Sequence, residues 1–346
     1  MSVNSALGRV STVRGDCPPV SFASGAATHA DSAETSSAPK VAIIVVNWNT
    51  YAVTRECLLS LQEANYPSID KILVDNASSD GSSERLAAEF EDVTVLRNCE
   101  NLGFTGGNNV GILHALRRGA EYVLLLNNDT IVSPGFLSSM ISVAEGDPEI
   151  GILNPTIYYA AAPEKIWYGG GEFSLWHGFA RHRQNRKSSA SSFKPSRDVT
   201  FITGCALLIK SKVIRRIGLL DDKFFMAYED ADWSVRARKA GFKAVYVAEA
   251  EIWHKESYTI RTRKCKSRRD YYNARNALIV ARKHARVYHW PSFITCYVAF
   301  LLYRAGGYLL YGQLDRIAAL YRGAREGLTQ PLRNGSGDAA GHHAHG

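Results

Sequence analysis

Three carboxylates and one imidazole in this chain stand where they are able to do chemistry. Asp129 closes the run Leu124-Leu-Leu-Asn-Asn-Asp129, so a dry apolar segment delivers a carboxylate to a solvent edge. Mg2+ or Mn2+ takes oxygen ligands, commonly one or two carboxylates plus substrate phosphates, and Asp129 suits that role or that of an ordinary turn residue. Glu229-Asp-Ala-Asp232 opens a predicted helix. Asp232 and Arg236 are spaced i, i+4 and read as a structural pair. Glu229 and Asp230 are left to accept a proton from a substrate hydroxyl or simply to cap the helix. His254 follows the apolar run Val245-Tyr-Val247 and is either a metal ligand beside Asp129 or a hydrogen-bonded histidine.

Positioning these groups requires a sheet. Val41–Val46, Lys71–Asp75, Val93–Leu96 and Tyr122–Leu126 read as short buried strands, and helices are predicted over 54–64, 81–91 and 109–119. Strands alternating with helices predict an α/β fold whose mostly parallel central sheet is flanked by helices. Ligands of such sheets bind beyond the carboxyl ends of the strands. Those ends are polar in succession: Asn47-Trp-Asn49, Asp75-Asn-Ala-Ser-Ser-Asp80 and Asn127-Asn-Asp-Thr130. The glycines at 103, 106, 107 and 111 suit close backbone approach to a ligand ahead of the helix predicted at 109. Their spacing is not the dinucleotide fingerprint and follows the wrong strand for it, which disfavours a dehydrogenase. Further strands are predicted at Phe201–Ile209 and Val245–Val247, a helix over 229–240 closed by Gly241, and a mobile flap over 181–197.

Composition narrows the partners. The net charge of +8 calls for an anionic one: nucleic acid, a lipid surface or a phosphorylated substrate. No nucleic-acid reader motif accompanies it. The six cysteines form no C-x-x-C pair, so neither a zinc knuckle nor a dense disulfide framework is signalled. Residues 1–39, rich in Ser, Ala, Gly and Pro, read as a disordered tail without the apolar core of a signal peptide, and 331–346 as a second tail with solvated histidines.

Taken together, the segments Val45–Asn49, Val74–Gly81, Asn101–Asn109, Leu126–Thr130 and Tyr228–Asp232 resemble the inverting glycosyltransferases of family 2, in particular their rhamnosyltransferase-like branch. The resemblance covers 41–280 and implies a GT-A fold. Its nucleotide-binding half would be 40–130 and its acceptor half 131–280. By matched position Asp75 would contact the nucleotide base, with Asn76 in the same motif and Asn47 and Asn49 lining that pocket. Gly103 and Asn108 belong to the matched glycine-rich segment. Asn128 and Asp129 fall in the family's D-x-D element, here Asn-Asn-Asp, with Asp129 holding Mg2+ or Mn2+ on the diphosphate. The departure to asparagine leaves one sure carboxylate for the metal. Asp230 would be the general base with Glu229 beside the acceptor, His254 would reach the metal or diphosphate, and Gly204 would allow close approach near the acceptor. No Arg-Trp pair occurs, so the Q-x-x-R-W element of processive synthases is absent and a single addition is expected.

The expected donor is a UDP- or dTDP-sugar such as dTDP-rhamnose, and the acceptor a lipid-linked or polysaccharide glycan. Residues 281–330 form a helical segment whose apolar stretch Phe293–Tyr303 is interrupted by Arg304. Peripheral contact with the inner membrane face from a cytoplasmic location, or packing on the domain itself or on a second subunit in a homo-oligomer, is expected of it. Competing readings are a sugar-phosphate nucleotidyltransferase, which needs a basic glycine-rich loop that Asn49–Ala52 lacks, and a non-catalytic nucleotide-sugar or glycan-binding protein.

Overall fold

The computed structural model describes residues 38–183, 185, 195–256 and 263–332. The two tails beyond these limits and most of the flap expected at 181–197 lie outside the described residues. The chain divides into two compact units, one of residues up to Ser174 with Phe179–Cys265, the other of Leu175–Gly178 with Lys266 onward.

The first unit is built on a ten-stranded sheet ordered β10-β12-β6-β11-β4-β1-β2-β3, with β5 paired to β12 and β7 to β6. Strands β1 (Val41–Asn47), β2 (Ile69–Asp75), β3 (Val93–Arg97) and β4 (Tyr122–Asn127) are mutually parallel, as the alternation with helices requires. Helices α1 (Tyr51–Gln62), α2 (Ser82–Glu89) and α3 (Gly103–Arg117) make the crossovers. Ile43 and Ile44 of β1 and Leu124 and Leu125 of β4 have no exposed surface. A strand covered on both faces reads as the continuous apolar run seen in the sequence.

Beyond β4 the sheet becomes mixed. Strands β5 (Thr130–Val132), β6 (Ile150–Tyr159), β7 (Ala162–Tyr168), β10 (Arg197–Val199), β11 (Ala206–Lys210) and β12 (Lys243–His254) extend it, with β11 antiparallel to both β4 and β6. Helix α4 (Phe136–Gly146) lies between β5 and β6, and β8 (Gly171–Ser174) and β9 (Phe179–His182) form a separate hairpin. Helix α5 (Ser211–Ile217) follows β11, and α6 (Glu229–Lys239) precedes β12 and is closed by Gly241 at φ +90°.

Two elements depart from expectation. Helix α3 begins at Gly103 instead of 109, so its glycines lie inside the helix. A Cβ on Gly111 would stand 2.6 Å from Ile44 Cγ2, and one on Gly103, at φ +72°, 2.4 Å from the Phe225 carbonyl oxygen. These glycines therefore let α3 lie close on β1 and on the 225 segment. The strand expected over 201–209 starts only at Ala206, because side chains occupy the preceding backbone groups. Asn154 accepts from the Thr203 N–H (2.7 Å) and donates to its carbonyl (3.0 Å), and Ser234 accepts from the Ile202 N–H (3.1 Å). The segment becomes a turn at Gly204-Cys205.

The second unit contains most of α7 (Arg263–His284), a 3-10 turn (Val287–His289), α8 (Trp290–Leu310) and α9 (Leu314–Thr329). Helix α8 runs unbroken through Arg304, whose charge is met by Asp270 at 2.5 Å. Ala274, Tyr308 and Leu320, one from each helix, form the shared core with Leu301 and Ile317.

Candidate active site

The carboxyl ends of β1, β2 and β4 meet at one edge of the sheet, and short polar side chains tie them together. Asn47 is wholly buried. Its amide nitrogen donates to Asp75 Oδ1 (2.9 Å), Ser78 Oγ (3.1 Å) and Ser82 Oγ (2.8 Å), while its oxygen accepts from Thr50 and Thr54. Asp75 also receives the Ser78 N–H (3.0 Å) and hydroxyl (2.6 Å), so three hydrogen bonds from Asn47 and Ser78 occupy much of its carboxylate. Asn49 is exposed with φ +53° and accepts from the Ser79 N–H (2.8 Å). Trp48 between these asparagines is 42% exposed and offers an open aromatic face at this edge.

Several residues read from the sequence as ligand contacts are engaged within the fold. Asn76 is buried and donates to the Gly103 carbonyl (2.8 Å) while accepting from Asn98 (2.8 Å). Asn108 donates to the Phe104 carbonyl one turn back (2.8 Å). The first N–H groups of α3 are likewise taken: Gly103 bonds Asn101 Oδ1 (2.8 Å) and Phe104 bonds the Phe225 carbonyl (2.9 Å). The anion-binding terminus anticipated for this glycine segment is thus filled by the protein's own oxygens. Asn128 donates to Thr50 (2.7 Å) and Thr54 (2.8 Å), which fixes the turn that carries Asp129.

Asp129 and His254 come together through strand pairing. His254 ends β12 opposite Thr130 of β5, and the Lys255 N–H donates to the Asp129 carbonyl (2.8 Å). This brings His254 Nε2 to 3.1 Å from Asp129 Oδ1, both side chains being buried. Burial opposes charge on the imidazole, but the neighbouring Cys205 and the Asp129 carboxylate at 3.1 Å raise its pKa to about 11. Octahedral ligands at roughly 2.1 Å from a metal sit about 3 Å apart when adjacent, so the pair fits as two neighbouring ligands of Mg2+ or Mn2+. Among the described residues no group of three or more His, Cys, Asp or Glu is able to hold a metal. A metal held by this pair would need its remaining ligands from outside the described residues, and the His254 imidazole would have to lose its proton to take part.

The acid pair opens α6. Ala227 and Tyr228 both adopt positive φ (+68° and +71°), an uncommon conformation for residues with a side chain, and the resulting turn starts the helix abruptly at Glu229. Asp230 is half-buried and accepts from the Gly204 N–H (3.0 Å) and the Ala231 N–H (2.8 Å). Burial outweighs these bonds and pushes its pKa up to about 6. Glu229 is buried, and its Oε2 has no hydrogen-bond partner among the described residues. Burial, with the neighbouring Asp230 charge, holds its carboxyl well above the usual range. Asp232 has no exposed surface and receives Arg236 Nε at 2.7 Å, the pairing expected from its spacing.

The turn at Gly204-Cys205 joins the two groups. The Gly204 N–H is on Asp230, the Cys205 carbonyl accepts from the Asn127 N–H (2.9 Å) two residues before Asp129, and the buried Cys205 side chain neighbours His254. A Cβ on Gly204 would lie 3.1 Å from the Phe104 ring, so a larger residue would crowd this junction. Sequence reasoning passed over Cys205, Trp167 and His182. The Trp167 ring lies edge to face with both His254 (4.8 Å) and His182 (4.6 Å). Burial drives His182 down to about 4. Their sequence context, with Trp167 just before the loop-like run Tyr168-Gly-Gly-Gly171, carries no signal of this contact.

A nucleotide-type parallel half joined to a mixed half, with acids at the strand ends, defines the GT-A class of glycosyltransferase fold. A mannosyltransferase from Pyrobaculum calidifontis, solved with GDP-Man and Mn2+, superposes with a TM-score of 0.52 at 16% identity, covering 86% of this chain and 91% of that one. The model for glycosyltransferase-like family 2 matches residues 39–273, and the chain belongs to that family. An N-acetylglucosaminyl-diphospho-decaprenol L-rhamnosyltransferase of Mycobacterium tuberculosis is 25% identical over 63% of this chain and 76% of its own. The dTDP-rhamnosyl transferase RfbF of Shigella flexneri is 22% identical over 62% and 71%.

Proposed function

We propose that this glycosyltransferase performs an inverting, non-processive transfer of a sugar from a UDP- or dTDP-sugar, with dTDP-rhamnose the leading donor. Its acceptor is a lipid-linked or polysaccharide glycan destined for the cell surface, met at the inner face of the membrane. The names of the mycobacterial and Shigella relatives support this choice of donor and acceptor. The observation that carries the reading is the Gly204-Cys205 turn, which bonds the candidate base on one side and, through the Asn127 N–H, the strand end that carries Asp129 beside His254 on the other.

In this mechanism the base and sugar of the donor nucleotide sit at the β1–β2 edge beside Trp48, Asn49 and the Asp75 network. Asp129 and His254 would hold Mg2+ or Mn2+, and the chemistry such an ion would supply there is neutralisation of charge on the departing diphosphate. Asp230, held by the Gly204 and Ala231 N–H groups, takes the proton of the acceptor hydroxyl. The freed oxygen then attacks the anomeric carbon from the face opposite the diphosphate, and configuration inverts. Glu229, whose neutral form burial favours, stands beside Asp230 next to the acceptor.

Asp230→Asn tests the assignment. Transfer is expected to fall by about 10²–10⁴-fold, while the rise in melting temperature given by UDP- or dTDP-sugar with Mn2+ persists. Full transfer by this variant would remove Asp230 from the base role, and the absence of any donor-dependent rise in the parent chain would count against the donor reading.

A further inference from the structure

The second unit concentrates two properties that seldom coincide on a solvated surface. Residues 266–332 hold eleven Lys or Arg against three Asp or Glu, a surplus equal to the +8 of the entire chain, so the remainder is neutral. The same stretch holds twelve of the fourteen large hydrophobic side chains exposed among the described residues.

Both properties follow the helix faces. On α8, Phe293, Tyr297, Leu301, Arg304 and Tyr308 repeat at helical spacing on the inward side. Ile294, Val298, Leu302 and Leu309 repeat on the opposite side and are 46–68% exposed. On α9, Gly323 and Gly327 face α7 so closely that a Cβ would stand 2.3 Å and 2.6 Å from the carbonyl oxygens of Tyr271 and Arg275. Leu314, Tyr321 and Leu328, spaced by seven, are 60–68% exposed, with exposed Arg322 and Arg325 beside them. The helices have thus met their packing needs on one side and keep an apolar, basic side free.

From these features we infer that α8 and α9 form an in-plane anchor for an anionic lipid surface. It rests on the membrane-face reading above and gives that reading its surface, its residues and its lipid class. Apolar side chains enter the headgroup boundary while Arg and Lys meet lipid phosphates. Helix α8 with the preceding turn, Val287–Leu310, is long and apolar enough to cross a bilayer, yet only 17% of its most apolar window is buried. What keeps it in the plane is Asp270, 1% exposed, which bonds Arg304 (2.5 Å) of α8, Arg316 (2.6 Å) of α9 and the Tyr308 hydroxyl (2.9 Å). A spanning α8 would drag this ionic cluster into hydrocarbon or break it.

Co-sedimentation of the full chain with phosphatidylcholine vesicles, with and without phosphatidylglycerol, tests the anchor. The chain is expected to pellet with the phosphatidylglycerol vesicles and to leave them in alkaline carbonate. Leu302→Glu with Leu309→Glu should abolish pelleting, and Arg322→Glu with Arg325→Glu should weaken it about tenfold or more. All four positions are exposed, so both variants should keep the donor-dependent rise in melting temperature. Equal pelleting with neutral vesicles, no pelleting at all, or indifference to these substitutions would overturn the inference. So would retention after carbonate, which marks a span, or a dimer in light scattering that Leu302→Glu dissociates, which marks an interface between copies. Vesicle binding is read without any donor, so its failure is separable from failure of the transferase reading.

Discussion

Asp230 is subject to opposed demands. A base must be ionised to take a proton, yet burial favours its neutral form, and the two N–H groups on it only partly restore the charge. Burial pushes the Asp230 carboxyl up to about 6, and burial with the Asp230 charge holds the neighbouring Glu229 carboxyl well above the usual range. Because the raised pKa leaves the base protonated on the acid side, transfer should rise with pH up to about 6 and flatten above it. A rate profile flat down to pH 4 would contradict this. Burial and the Asp230 charge raise the Glu229 carboxyl and favour its neutral form, which glutamine matches in shape. Glu229→Gln should therefore keep transfer within about threefold, less than the loss expected at Asp230. A collapse of kcat in Glu229→Gln would show that the charge of Glu229 is used.

The elements are set by how closely they can approach. Helix α3 lies on β1 through Gly111, with no room for a methyl beside Ile44. Gly111→Ala should lower stability by about 1–3 kcal/mol, the usual cost of overpacking, visible as a lower denaturant midpoint with an unchanged slope. An unchanged midpoint would mean that the helix shifts without cost. At the other end of the site the elements act through register. His254 reaches Asp129 because β12 pairs with β5 and β6 at the residues it does, and a slip of one residue would turn His254 to the other face.

At the scale of the whole molecule the chain separates its tasks. The neutral sheet unit carries the acids and the candidate metal pair, and the helical unit carries the charge surplus and the open apolar faces. The helical unit depends on Asp270, whose buried carboxylate offsets two arginines. Asp270→Asn leaves those cations without a counter-charge and should cost about 3–5 kcal/mol. Circular dichroism during thermal unfolding should show the loss, and a melting curve identical to the parent would show that solvent compensates the arginines.

The sequence by itself determined the parallel half of the sheet, the three polar strand ends, the Asp232–Arg236 pair and the close of α6 at Gly241. Each is a local pattern: an apolar run buried on both faces, a turn-forming segment, an i, i+4 spacing, a residue tolerant of positive φ. The start of α3 at Gly103 was not legible, because glycines that look like a loop serve a helix once a strand and a carbonyl press against them. Nor was the turn at Gly204-Cys205, where Asn154 and Ser234 displace a strand ladder from far along the chain. The meeting of Asp129 with His254, and the linking of both to Asp230 through that turn, was decided only by tertiary structure. Such contacts join residues distant in sequence, and no local periodicity records which of them the sheet will bring within hydrogen-bonding reach.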